Sequence, residues 1–322
     1  MTAAQRTLRS FGAVGAGLFV LLAVLSRWLP GGDDPVSRTL LVALLVVVPL
    51  ALALVEANEA ERPYFAVLAY LVPPTALAGA CSILFDPGPL AGGAASLWVV
   101  TTLVVAAMGL GRLRSARPEQ RAFDLGLAAA FLYLPVGAVW LVLSRFGIEP
   151  LGLPSIIVAL TAVHFHHGAF GALVVIAVAR SRAERTRTWL TAALALAAAA
   201  MVVVAIAVTL APSALGGSGE DAAGGARPLA TLGAGMLELA FLLHALALGR
   251  EVLGRLRHRG ARVVIGLAAL APLATMALAA LYTLGLVELD LMVHAHGEAN
   301  AYLTVLGALV GWTLERSAEP AA

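Results

Sequence analysis

The chain has 322 residues, is 61% hydrophobic and 12% charged, and carries a net charge of +2. Soluble domains average about 25% charged residues, so this composition excludes an ordinary soluble globular fold. Cys81 is the single cysteine, so no intrachain disulfide forms, and no basic patch interleaved with aromatics points to a nucleic-acid partner.

Arg6 and Arg9 precede the first apolar run, 10–30. A signal peptide begins this way, but the run continues past Leu25 to Arg27 without a small-x-small cleavage site, and it reads as a retained span. Further apolar runs follow at 38–55, 64–85, 90–110, 124–144, 154–179, 189–211, 228–248, 262–285 and 290–314. Each approaches the roughly 20 residues that cross about 30 Å of hydrocarbon. Pro49, Pro73, Pro74, Pro135 and Pro272 fall inside spans, and the Pro73-Pro74 pair is the strongest candidate to open a helix. Between the seventh and eighth runs, the Gly-rich segment 213–227 contains Glu220 and Asp221 and reads as a flexible extracytoplasmic loop.

All 21 basic side chains are arginine. With the N-terminus inside, 17 of the 21 fall in inner segments and 4 in outer ones, the asymmetry expected of cytoplasmic loops. The expected fold is therefore all-α: a polytopic membrane bundle of about ten helices forming a single integral domain over residues 1–322, with both termini cytoplasmic. Matching motifs between a first and a second set of five spans are not evident.

Ionisable residues inside a membrane are costly and mark functional positions. Here they are few: His164, His166 and His167 in "TAVHFHHGAFG", His294, His296 and Glu298 in "MVHAHGEANAY", and Glu238 and His244 in the eighth span. At 100° per residue, His164 and His167 share a face with Gly168 and Gly171, while His166 points about 160° away from His164. His294 and Glu298 share a second face, and His296 lies with Asn300, Thr304, Gly307 and Gly311 on nearly the opposite one. Either the tenth helix is enclosed on both sides, or the chain before Gly297 is not yet helical. Neutral imidazoles with a carboxylate suit a transition metal, zinc among them. The expected metal ligands are His164, His167, His294 and His296, in one site in the outer half of the membrane, with His166 and Asn300 close by. Haem is a lesser alternative, since paired axial ligands need only two of the histidines. Glu298 and Glu238 are the candidate proton-handling, catalytic residues. His244 reads as structural, and His258, in "RLRHRGAR", as a loop residue.

The stretches "AVHFHHGAF" at 162–170 and "HGEANAYLTVLGALVGW" at 296–312 resemble the YndJ-like family of bacterial membrane proteins. The resemblance carries over to His164, His166, His296, Gly297, Asn300, Ala301, Gly311 and Trp312, with His167 standing where an aromatic is expected. It implies a location in the bacterial cytoplasmic membrane and brings no defined activity. Two functions remain open. One is a metal-dependent membrane enzyme acting on a hydrophobic, lipid-soluble substrate, which needs convergent ligands with a vacant coordination position. The other is a transporter whose His/Glu cluster binds a metal ion or protons, which needs interrupted helices. Membrane lipids are expected partners of either.

Overall fold

The structure, a computed structural model, describes residues 1–25, 34–210 and 226–318. Among the described residues it is entirely helical, and nine helices are long and apolar enough to cross a membrane. We number the helices α1 Ala3–Leu25, α2 Pro35–Leu54, α3 Arg62–Ile83, α4 Pro89–Ser115, α5 Arg121–Phe146, α6 Ser155–Ser181, α7 Arg187–Leu210, α8 226–255, α9 Arg259–Thr283 and α10 289–317. The tenth predicted span, α10, is helical but stands outside those nine, carrying Asp290, Glu298, Glu315 and Arg316. Residues 213–225 of the expected loop lie outside the described residues, while Ala226 and Arg227 already belong to α8.

The chain divides into two compact units, Met1–Gly171 and Ala172–Ala322. In the first, α3, α4 and α5 pack on one another in sequence order, and α1 lies against α2 and α3. In the second, α7, α8, α9 and α10 pack in the same serial manner, and the end of α6 joins α7. Short connections make such neighbours antiparallel. Two helices differ from the rest: α2 and α6 are each 89% buried over their apolar window, whereas the other spans are buried over half or less. A helix apolar all round is an enclosed helix.

The course of α2 follows from two residues. Asp34 caps its start, accepting from the Val36 and Ser37 amides, with Pro35 in the first turn. Pro49 has no amide to offer the carbonyl four residues back, that of Leu45. Around that position the helix widens to five-residue spacing, so that the Val48 amide bonds the Ala43 carbonyl. Gly15 of α1 packs against the Leu45 carbonyl so closely that a Cβ there would overlap its oxygen. By contrast α3 runs unbroken through Pro73 and Pro74, correcting the expectation that this pair opens a helix. There the Thr75 hydroxyl bonds the Leu71 carbonyl at 2.7 Å and the Thr101 hydroxyl of α4 at 2.6 Å.

Three glutamates fasten loops between the helices. Glu61 forms a capping box with Asn58 and takes two 2.7 Å bonds from Arg112, which also reaches Asp124 at 3.1 Å. Glu251 accepts from the amides of Glu184, Arg185 and Thr186, anchoring the turn before α7. Glu315 accepts from the amides of Arg257 and His258, and His258 in turn caps α9 through Nδ1. His258 is thus a helix cap rather than a free loop residue.

Two outcomes are expected from this packing. Gly15→Ala forces α1 off the Leu45 carbonyl and costs about 1–3 kcal/mol, whereas Gly17→Ala, with open space at its Cβ, leaves the melting temperature in detergent unchanged or slightly raised. Arg112→Ala strands the buried Glu61 carboxylate and lowers stability by about 3–5 kcal/mol in the same measurement.

Candidate functional site

His166 and His167 lie in a widened, five-residue turn of α6, Phe165–Ala172, which starts just after His164, and His294 and His296 lie in Met292–Glu298 of α10, which is followed by a second such turn, Asn300–Leu306. Such turns recur at functional sites because each inserts an extra residue and re-aims the side chains beyond it.

In the first unit, His166 is completely buried. Its Nδ1 is 2.8 Å from the Ala162 carbonyl, and its Nε2 accepts the Trp98 indole N–H at 3.0 Å. A ring that donates from Nδ1 and accepts at Nε2 is neutral with both nitrogens engaged. Gly137 of α5 makes the room, since a Cβ there would sit 2.8 Å from His166 Nδ1. His167 is also buried; its Nε2 lies 3.0 Å from the Thr39 carbonyl of α2, and its Nδ1 has no partner among the described residues. His164 is exposed, with Nδ1 bonded to the Leu160 carbonyl at 2.8 Å. The expected pairing of His164 and His167 on one face, away from His166, is therefore corrected. Regular 100° spacing fails where the turn widens at Phe165, and His166 and His167 both enter the interior.

In the second unit, the two stripes expected on α10 form. His294 is held between carboxylates, Nδ1 at 3.0 Å from Glu298 Oε2 and Nε2 at 3.6 Å from Asp290 Oδ1. His294 and Asp290 are 48% and 88% exposed, so this side of α10 is open. On the other stripe, His296 Nδ1 lies 2.9 Å from the Thr275 carbonyl of α9 and 3.2 Å from Asn300 Nδ2. Asn300 Oδ1 accepts from the hydroxyls of Thr275, at 2.8 Å, and Thr304, at 3.2 Å. The helix begins at Leu289, so neither enclosure on both sides nor a non-helical start applies. His294 and His296 point to different partners instead of converging.

Glu238 on α8 has a buried carboxylate oxygen, Oε2, without a partner among the described residues, and both ring nitrogens of buried His244 are likewise unpartnered there. The His164–His167 group thus falls in one compact unit and the His294–Asn300 group in the other. Among the described residues, no group of three or more His, Cys, Asp or Glu side chains is arranged to hold a metal ion. Gly311 and Trp312 are packing residues. A Cβ on Gly311 would meet Ile265 of α9 at 2.5 Å, and Trp312 is 1% exposed.

Sequence reasoning missed Trp98, Thr275 and Asp290. Trp98 and Thr275 stand in other helices, far along the chain from the histidines they serve, and no local pattern links them. Asp290 had a signal, the four-residue spacing to His294 on the same face.

The His166 bridge has a measurable consequence. His166→Ala removes two buried hydrogen bonds and orphans the Trp98 N–H, and is expected to cost about 2–4 kcal/mol in detergent unfolding. Trp98→Phe, which removes the donor alone, costs about 1–2 kcal/mol.

The sequence matches the family described as YndJ-like protein over residues 38–304. No curated protein matches the chain, and no solved structure does. The matched segment runs from α2 into α10 and contains the Trp98–His166 bridge, the Thr39–His167 contact and the Asp290–His294–Glu298 stripe. The chain belongs to the YndJ-like family.

Proposed function

We propose that this chain is a transporter of the bacterial cytoplasmic membrane, with both termini in the cytoplasm, that takes up a proton on α10 as part of its cycle. One observation carries the reading: His294 has a carboxylate facing each ring nitrogen, Glu298 at Nδ1 and Asp290 at Nε2. A neutral imidazole can offer only one N–H to this pair, whereas an imidazolium offers both. Taking a proton therefore completes both contacts and halves the net negative charge of the stripe. A metal bound at either nitrogen would meet one carboxylate, because the two acids lie on opposite edges of the ring.

The metal-dependent enzyme expected from the sequence needs convergent donors, and among the described residues no three or more His, Cys, Asp or Glu side chains are arranged as such a group. Transport needs helices that change locally. The two successive wide turns of α10, 292–298 and 300–306, supply such a place. Histidine is also the side chain whose charge most readily changes near neutral pH.

The test is proton entry into liposomes containing the purified chain and an entrapped pH dye, driven by a potassium diffusion potential. Wild type is expected to acidify the lumen faster than protein-free liposomes, and His294→Gln and Glu298→Gln to slow that entry at least tenfold. Equal rates in wild type, variants and empty liposomes sink the reading. Stoichiometric metal in wild type that is lost in His294→Gln would return the site to metal chemistry.

A further inference from the structure

The second stripe of α10 contains a hydrogen-bond mismatch. His296 Nδ1 lies 2.9 Å from the Thr275 carbonyl of α9 and 3.2 Å from Asn300 Nδ2. A carbonyl only accepts and an amide nitrogen only donates, so Nδ1 needs a proton for the first contact and a lone pair for the second. One ring nitrogen has one or the other, and the two bonds exclude each other. The rest of the cluster is matched. Asn300 Oδ1 accepts from the hydroxyls of Thr275, at 2.8 Å, and Thr304, at 3.2 Å, and both threonines are buried.

Two arrangements of these groups resolve the mismatch. In the first, the neutral ring carries its proton on Nε2, Nδ1 accepts from Asn300 Nδ2, and the two hydroxyls stay on Oδ1. In the second, Nδ1 carries a proton, as it does in the imidazolium, and donates to the Thr275 carbonyl. The Asn300 N–H groups then face another N–H, and a half-turn of the amide removes that conflict. It brings Oδ1 to the Nδ1–H and turns the two Nδ2 hydrogens to the two hydroxyl oxygens. Hydroxyls accept as well as donate, and the terminal torsion of asparagine is roughly two-fold. The Thr275 hydroxyl proton has acceptors waiting, the Ala271 and Pro272 carbonyls at 3.3 and 3.4 Å. From this mismatch we infer that His296 and Asn300 form a two-state switch where α10 meets α9, in which protonation of His296 Nδ1 and rotation of the Asn300 amide go together. Protonation adds a bond from α10 to the α9 backbone, and deprotonation removes it.

The charged surroundings are few. The helix packed against both wide turns of α10 is α9, which carries Arg259 and Arg262 in its first turn, several turns before Thr275, and Tyr282 near its end. On α10 itself Asp290, His294 and Glu298 occupy the opposite stripe. The switch therefore stands apart from the proton reading at His294.

The test is magnetic resonance of the full-length chain in lipid nanodiscs, with isotope-labelled histidine and asparagine nitrogens and the His296 signals assigned by their loss in His296→Gln. From alkaline to acid pH, His296 Nδ1 is expected to pass from unprotonated to protonated. The Asn300 amide is expected to exchange its His296 contact for the threonine hydroxyls at the same midpoint. Asn300→Leu leaves the Thr275 carbonyl as the partner of Nδ1 in this cluster, so Nδ1 is expected to stay protonated at every pH and the transition to be lost from it. Asn300→Asp, which has two acceptor oxygens and no donor, is expected to do the same and serves if leucine impairs folding. His294→Gln is expected to keep the His296 transition, so a failure of proton entry and a failure of this switch are read separately. Wild-type Nδ1 protonated at every pH, or an Nδ1 transition with the Asn300 amide unmoved, overturns the inference.

Discussion

A helix enclosed on every side has no water to satisfy its polar atoms, and in an apolar bundle each unsatisfied group costs several kcal/mol. That constraint governs α2 and α6. Pro49 deprives one α2 carbonyl of its usual partner; the helix answers by widening, and α1 answers with a glycine at the contact. Two imidazoles enter the interior from α6. One is held between Trp98 and its own helix, and the other reaches the Thr39 carbonyl of α2. The glycines facing these points, Gly15 and Gly137, are required by close approach, since a Cβ at either would overlap the group it faces. In the same way Gly311 admits Ile265 where α10 meets α9.

The helix ends obey the same rule by a different device. Glu61, Glu251 and Glu315 are carboxylates turned inward to collect loop amides or a buried arginine. A carboxylate accepting several amide N–H bonds at a helix start satisfies donors that would otherwise be orphaned, and it complements the helix dipole. Both units use it: Glu61 fastens α3 to α4 and α5 in the first, and Glu251 and Glu315 fasten the turns before α7 and α9 in the second. These acids are stabilising elements of the scaffold. That separates them from Glu238 and Glu298, which lie farther along their helices, away from the loops.

The helices were legible because length and hydropathy alone determine which segments can lie in hydrocarbon. Nine of the ten predicted runs are apolar spans, and the tenth is a helix whose acids lower its hydropathy. The side-chain directions were less legible. On α10 the four-residue spacings of His294 with Glu298 and of His296 with Asn300 give real contacts. On α6 the equivalent spacing fails, because the wide turn after His164 changes the angle per residue, and nothing in "HFHHGAF" announces that turn. The partners were not legible at all: Trp98 lies 68 residues from His166, and Thr39 lies 128 from His167. Such pairings depend on which helices become neighbours, and a single sequence does not state that.

What most separates His166 from His294 is how fully each is satisfied. His166 is a closed device, with both nitrogens committed and its charge state held by a donor on one edge and an acceptor on the other. Its place in an enclosed helix makes it part of the scaffold. His294 is the reverse, half exposed and flanked by two acceptors of which a neutral ring can satisfy only one. A residue whose surroundings are completed by gaining a proton is suited to change state, and one whose surroundings are already complete is suited to stay. By that criterion the proton-linked step we propose belongs on α10, whereas His166 of the triple-histidine stretch packs the first unit together.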